Sequence, residues 1–232
     1  MERNRTDNND DPQMRYELDA VLPTETIHVS PGTNLLVAGP PMSGKRELAL
    51  SILAQGANAE EGNIFVSTDH GAEATLADYQ TLVAAPNQAA LGIVETTESG
   101  PTMQESFVHS VTSPADLTGI GIGVSEFMQR FNKNGIRQTR FALDSVSTLL
   151  SYVDVRTVFK FCHVLTARLE SVGYLGVFTL DTGVHDEQAV NTIKQVFDGM
   201  VELRERDDGI EVRVIGLDGY RTGWEPYEPN HS

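Results

Sequence analysis

Short apolar runs recur along the chain at 34–38, 63–68, 91–96, 140–143 and 175–180. Each is too short for a helix and reads as a strand covered on both faces. Between them the apolar positions take up helical spacing. After Lys45, Leu48, Ile52 and Leu53 fall on one helix face, and across 154–171 the positions Val155, Val158, Phe159, Cys162, Leu165 and Leu169 follow the i, i+3, i+4, i+7 pattern of an amphipathic helix. Buried strands alternating with such helices predict an α/β domain built on a mostly parallel central sheet with helices on both faces. Near the end, 199–206 and 210–216 flank Asp207-Asp208-Gly209, whose Asp-Gly pair predicts a β-hairpin, so the sheet is expected to close with an antiparallel pair. The segment 101–113 has neither period.

A chain of 232 residues accommodates one such domain with a buried sheet, expected over 16–224. The Asn- and Asp-rich stretch 1–15 lacks periodicity and is expected to be a disordered tail, and 225–232, with Pro226 and Pro229, a flexible one. No stretch approaches the roughly 20 apolar residues that cross a bilayer, and the N-terminus lacks the apolar core of a secretory signal. The expectation is a cytoplasmic protein without membrane insertion. The single cysteine, Cys162, cannot form an internal disulfide, and no Cys/His spacing suggests a zinc site. Its place on the apolar helix stripe predicts a core thiol.

Charge narrows the class further. The formal net charge is −16, from 33 acidic and 17 basic residues, and the only lysines are Lys45, Lys133, Lys160 and Lys194. Such a surface repels itself in dilute buffer but is screened in molar salt, where the Debye length is about 3 Å. This balance fits a salt-loaded cytoplasm; an ordinary acidic protein is the alternative. With no Lys/Arg-rich run, nucleic acid is a disfavoured partner.

The candidate chemistry lies in Gly39-Pro40-Pro41-Met42-Ser43-Gly44-Lys45, directly after the strand 34–38 and at the start of the first helix. Glycines at this spacing let a loop wrap its backbone N–H groups around phosphate oxygens at a helix N-terminus, with the lysine reaching the β- and γ-phosphates. A Gly/Pro turn with a chance lysine is the alternative. Asp144, ending the apolar run 140–143, stands where a strand delivers a carboxylate to hold magnesium; it could instead cap the next helix. A third carboxylate, Asp69, follows the strand 63–68 and precedes His70. His70, His109, His163 and His185 are scattered and predict no metal site, while His185-Asp186-Glu187 reads as a polar helix start.

These residues resemble the RecA superfamily, and within it the KaiC-like and RadA-like ATPases. The likeness runs from about Pro31 to Gly219 and includes the Leu143-Asp144-Ser145-Val146-Ser147 pattern. Segments 113–119 and 144–150 look like a haloarchaeal branch of KaiC-like proteins. The resemblance implies a RecA-like P-loop domain that binds ATP or ADP, with Lys45 bracing the phosphates, Asp144 holding Mg2+ and Asp69 orienting the attacking water. It also implies a homo-oligomeric ring or filament and a protein partner yet to be identified.

The sequence departs from that pattern at three places. The residue after the lysine, Thr or Ser in the family, is Arg46, which has no acceptor to offer a cation. It either supplies positive charge to the phosphates or pairs with a carboxylate at the surface. The water-orienting glutamate is the shorter Asp69, and the late-strand Lys and Arg that reach a neighbour's γ-phosphate are missing from 216–219, with Arg221 displaced. The expectation is therefore a KaiC-like nucleotide-binding regulatory protein with slow or no hydrolysis. A scaffold that binds no nucleotide and a RadA-related recombination accessory protein are the alternatives.

Overall fold

The predicted strands pair side by side in a computed structural model that describes residues 15–18, 22, 27–83, 86–97, 100–217, 220 and 222–228. In chain order the elements are β1 (Tyr16–Glu17), β2 (His28–Val29), β3 (Asn34–Gly39), α1 (Lys45–Asn58), β4 (Gly62–Ser67), α2 (Ala72–Leu82), β5 (Leu91–Thr96) and β6 (Val108–Val111). They continue with α3 (Leu117–Lys133), β7 (Thr139–Asp144), α4 (Val146–Tyr152), α5 (Val155–Ser171), β8 (Leu175–Asp181), α6 (Glu187–Lys194), β9 (Gly199–Arg206), β10 (Gly209–Ile215) and β11 (Glu225–Tyr227).

Among the described residues one 9-stranded sheet runs in the order β11-β10-β9-β3-β8-β7-β4-β5-β6, and β1 with β2 forms a separate antiparallel ribbon. From β9 to β6 every neighbour is parallel; β10 is antiparallel to both β9 and β11. The mostly parallel α/β sheet and its C-terminal hairpin thus agree with the hydrophobic pattern.

Strand pleating divides the apolar residues between two cores. Leu35 and Val37 of β3 join Leu48, Ile52 and Leu53 of α1 on one face, while Leu36 and Ala38 join residues of α3, α4, α5 and α6 on the other. Cys162 lies in the second core and is fully buried, as its helix position predicts.

One segment without a reading gains an element, and one expectation needs correction. The aperiodic segment 101–113 contains β6, an edge strand whose burial is incomplete and whose register against β5 is set by Ile93↔Val108 through Thr96↔Val111. The expected tail from 225 begins instead as β11, paired Ile210↔Tyr227 through Val212↔Glu225, with Tyr227 buried. Pro226 fits because an edge strand leaves one side of its ladder unpaired. Trp224, just before it, lies under the guanidinium groups of Arg204 and Arg213, at 4.1 and 4.4 Å from its ring centroid. Residues 1–14 and 229–232 of the expected tails lie outside the described residues.

A buried ion pair ties the lower ends of the elements together. Arg140, at the start of β7 and 1% exposed, binds Glu61 at 2.7 Å and donates to the carbonyls of Ile52 and Glu17. The Tyr16 hydroxyl reaches the carbonyls of Gly173 and Thr139, fastening the small ribbon beneath the sheet.

Candidate functional site

Four neighbouring strands, β3, β8, β7 and β4, carry the candidate residues at their C-terminal ends. Open parallel sheets form their ligand crevices there, where successive connections leave in opposite directions. The chain runs from β3 through α1 past β8 and β7 to reach β4, so the 39–46 loop opens at such a place. Register puts Gly39 beside Asp181 and Ser67 beside Asp144.

The loop needs its glycines. A side chain on Gly39 would lie 2.6 Å from the Ser43 hydroxyl, and Gly44 takes φ +83°, a left-handed conformation that L side chains rarely adopt. The Ser43 N–H closes a turn onto the Pro40 carbonyl, and α1 starts at Lys45. Pro41 and Met42 are exposed, whereas Ser43, Gly44 and Lys45 are buried.

The N-terminus of α1 differs from the others. Asp116, Ser145, Asp154 and Asp186 cap α3, α4, α5 and α6 through their side chains, and the Glu95 carboxylate receives the first amide of α2. Only α1, among the described α-helices, has no side-chain oxygen on its opening amides. Its amides, and the positive end of its dipole, are left for another acceptor.

The cations beside that helix end are both paired. The Lys45 ammonium, 7% exposed, donates to the Pro40 carbonyl at 2.5 Å and meets the Asp181 carboxylate at 2.8 Å. Arg46 bonds Asp144 Oδ2 through Nη1 at 3.1 Å, Thr75 and Asp78 through Nη2 at 3.1 Å each, and lies 5.2 Å from the Phe65 ring centroid. The second oxygen of Asp144 accepts the Thr179 hydroxyl at 2.5 Å.

Of the carboxylates predicted from sequence, Asp144 meets the loop residue Arg46, while Asp69, exposed at the end of β4, accepts the Thr148 hydroxyl at 2.6 Å. The alternative role of Asp144 as a helix cap belongs to its neighbour: Ser145 caps α4, and its own amide donates to Thr68. Of the late segment that lacks the family's bases, Asp218, Gly219 and Arg221 lie outside the described residues.

The set around Asp144 does not fit magnesium. The place of the expected hydroxyl holds a guanidinium, which has no acceptor to offer a cation and itself occupies Asp144 Oδ2 at 3.1 Å. Asp144, expected from the sequence to hold magnesium, is engaged in this structure by Arg46 and Thr179. The uncapped helix amides and the Lys45 ammonium are donors of the kind that meet an anion.

Sequence reasoning missed the partners that fix these groups. Thr75, Asp78, Thr179 and Thr148 have no local signature, because each acts on a residue far away in sequence. Asp181 could be placed at a strand end but not on Lys45.

A family of unknown function (DUF7504) matches residues 32–203, most of the chain and all of the candidate site. The chain belongs to this family. No curated protein matches it. Within the family region lie the 39–46 loop, both ion pairs and the four strand ends, whereas β10 and β11 fall outside it.

Among the described residues no helix is long and apolar enough to cross a membrane.

Proposed function

We propose that this chain is a RecA-like, KaiC-like nucleotide-binding regulatory protein of the cytoplasm, which holds ATP or ADP on the 39–46 loop and hydrolyses it slowly or not at all. The observation that carries the reading is the uncapped N-terminus of α1 with the buried Lys45 ammonium beside it. Every other described α-helix satisfies its first amides internally, so the exception coincides with the glycine-rich loop.

Binding has a built-in consequence. For Lys45 to brace a phosphate it must give up Asp181, whose own amide is hydrogen-bonded to the Ser147 hydroxyl in α4. Exchange of carboxylate for phosphate therefore acts on the loop between β8 and α6, a route from nucleotide to surface and to a protein partner. Slow hydrolysis follows from the short Asp69 being held by Thr148 and from the loss of the trans-acting bases. A ring or filament of copies is compatible with Met42, 99% exposed at the tip of the loop.

One observation favours a second reading. Both loop cations already have carboxylate partners, as a scaffold that binds no nucleotide would require. Equilibrium binding of a fluorescent ATP analogue to wild type and Lys45→Ala in molar KCl separates the two. Saturable wild-type binding that Lys45→Ala weakens by about tenfold or more supports the nucleotide site. Equal and negligible binding by both proteins supports the scaffold.

A further inference from the structure

In a P-loop the residue after the lysine gives a hydroxyl to magnesium, and a strand-end aspartate holds the ion from the other side. In this chain both positions are joined to each other by the Arg46–Asp144 ion pair, 12% and 9% exposed at their side chains. The guanidinium is fixed from several directions: Asp144 on β7, Thr75 and Asp78 on α2, and the Phe65 ring of β4. An arginine held this way is part of the site rather than a solvated surface group.

A guanidinium has five N–H donors. Arg46 uses Nε on Asp78, Nη1 on Asp144, and Nη2 on Thr75 and Asp78. Among the described residues this leaves the second hydrogen of Nη1 without a partner, on the same nitrogen that Asp144 holds. A divalent ion at Asp144 would have to compete with this guanidinium for Oδ2.

Taking the 39–46 loop as the nucleotide site proposed above, we infer that Arg46 is its resident counter-cation and that the ligand is the nucleotide uncomplexed by magnesium. Lys45 and the remaining Nη1 hydrogen serve the phosphate oxygens. Asp144, with Thr179 behind it, positions the guanidinium instead of a metal.

Equilibrium binding of the fluorescent ATP analogue in molar KCl tests this. Wild type binds as tightly, or more tightly, in EDTA than in excess magnesium, because magnesium withdraws the uncomplexed form. Arg46→Thr restores the hydroxyl and reverses the order, magnesium tightening its binding by about tenfold or more. Wild-type binding that tightens about threefold or more on adding magnesium overturns the inference and leaves the nucleotide reading in place. Wild-type binding undetectable in both buffers, and unaltered by Lys45→Ala, overturns both. Should Arg46→Thr lose its cooperative melt, the wild-type comparison decides alone. Manganese adds a second readout: with wild type and nucleotide, its electron paramagnetic resonance spectrum remains that of the manganese–nucleotide complex, and a protein-bound spectrum overturns the inference.

Discussion

The Lys45 ammonium and the Asp181 carboxylate lie 2.8 Å apart at a place where a phosphate would compete for the same donor. Charge-assisted bonds of this kind are the strong ones, so the competition costs the ligand affinity. Asp181→Asn removes the charge while keeping the shape. Its expected effect is nucleotide binding tighter by roughly three- to tenfold, checked by equilibrium titration; unchanged or weaker binding would show that Asp181 does not compete. A second residue gives a prediction independent of nucleotide. Burial pushes the Cys162 thiol up to about 12, so at pH 8 almost no thiolate is present in the folded protein. Iodoacetamide should leave Cys162 unmodified until the chain is unfolded, as read by mass spectrometry. Both residues could be found in the sequence, but only Cys162 could be interpreted there, since a core position follows from helix periodicity and an ion-pair partner does not.

At the scale of elements, Glu95 shows how an uninterpretable segment acquires its shape. Its carboxylate, fully buried at the end of β5, receives the Ala72 amide of α2, the amide and hydroxyl of Thr102, and the Ser110 hydroxyl of β6. Burial alone would raise its pKa, but these hydrogen bonds hold it below the ordinary 4.5. The stability it contributes is therefore present above the unfolded-state value and is lost as the pH falls through the lower, folded one. Glu95→Gln replaces an acceptor by an amide that must point donors at donors. At neutral pH it should destabilise the fold by about 1–3 kcal/mol, seen as a lower Tm in KCl, and the difference from wild type should shrink as the pH is taken below the folded-state value. The strand β6 was not legible at 101–113 because it is held by its ladder to β5 and by the Ser110–Glu95 hydrogen bond, neither of which needs an alternation of apolar residues. By contrast β3, β4, β5, β7 and β8 were legible, as runs buried on both faces need no partner to announce themselves.

At the scale of the whole molecule, the net charge of −16 predicts a fold whose stability depends on salt. Tm should rise as KCl goes from millimolar to molar, where the Debye length shrinks to about 3 Å and the carboxylates cease to repel across the surface. A Tm independent of salt would remove the inference of a salt-loaded cytoplasm. Inside, the opposite rule holds: Arg140 and Glu61 are sealed from water and screened little. Arg140→Met would leave Glu61 buried without its partner and cost about 3–5 kcal/mol, measured by chemical unfolding. The sequence by itself determined the layered α/β architecture, the parallel strands, the hairpin and the glycine-rich loop, because these follow from local periodicity, turn chemistry and backbone conformational limits. Tertiary structure alone decided that Arg46 pairs with Asp144, that Lys45 pairs with Asp181 and that, among the described α-helices, α1 is left without a side-chain cap. The physical reason is that charge pairing and capping depend on which strand ends become neighbours. The crossover from β3 to β4, past β8 and β7, settles that for groups as distant as Arg46 and Asp144, 98 residues apart.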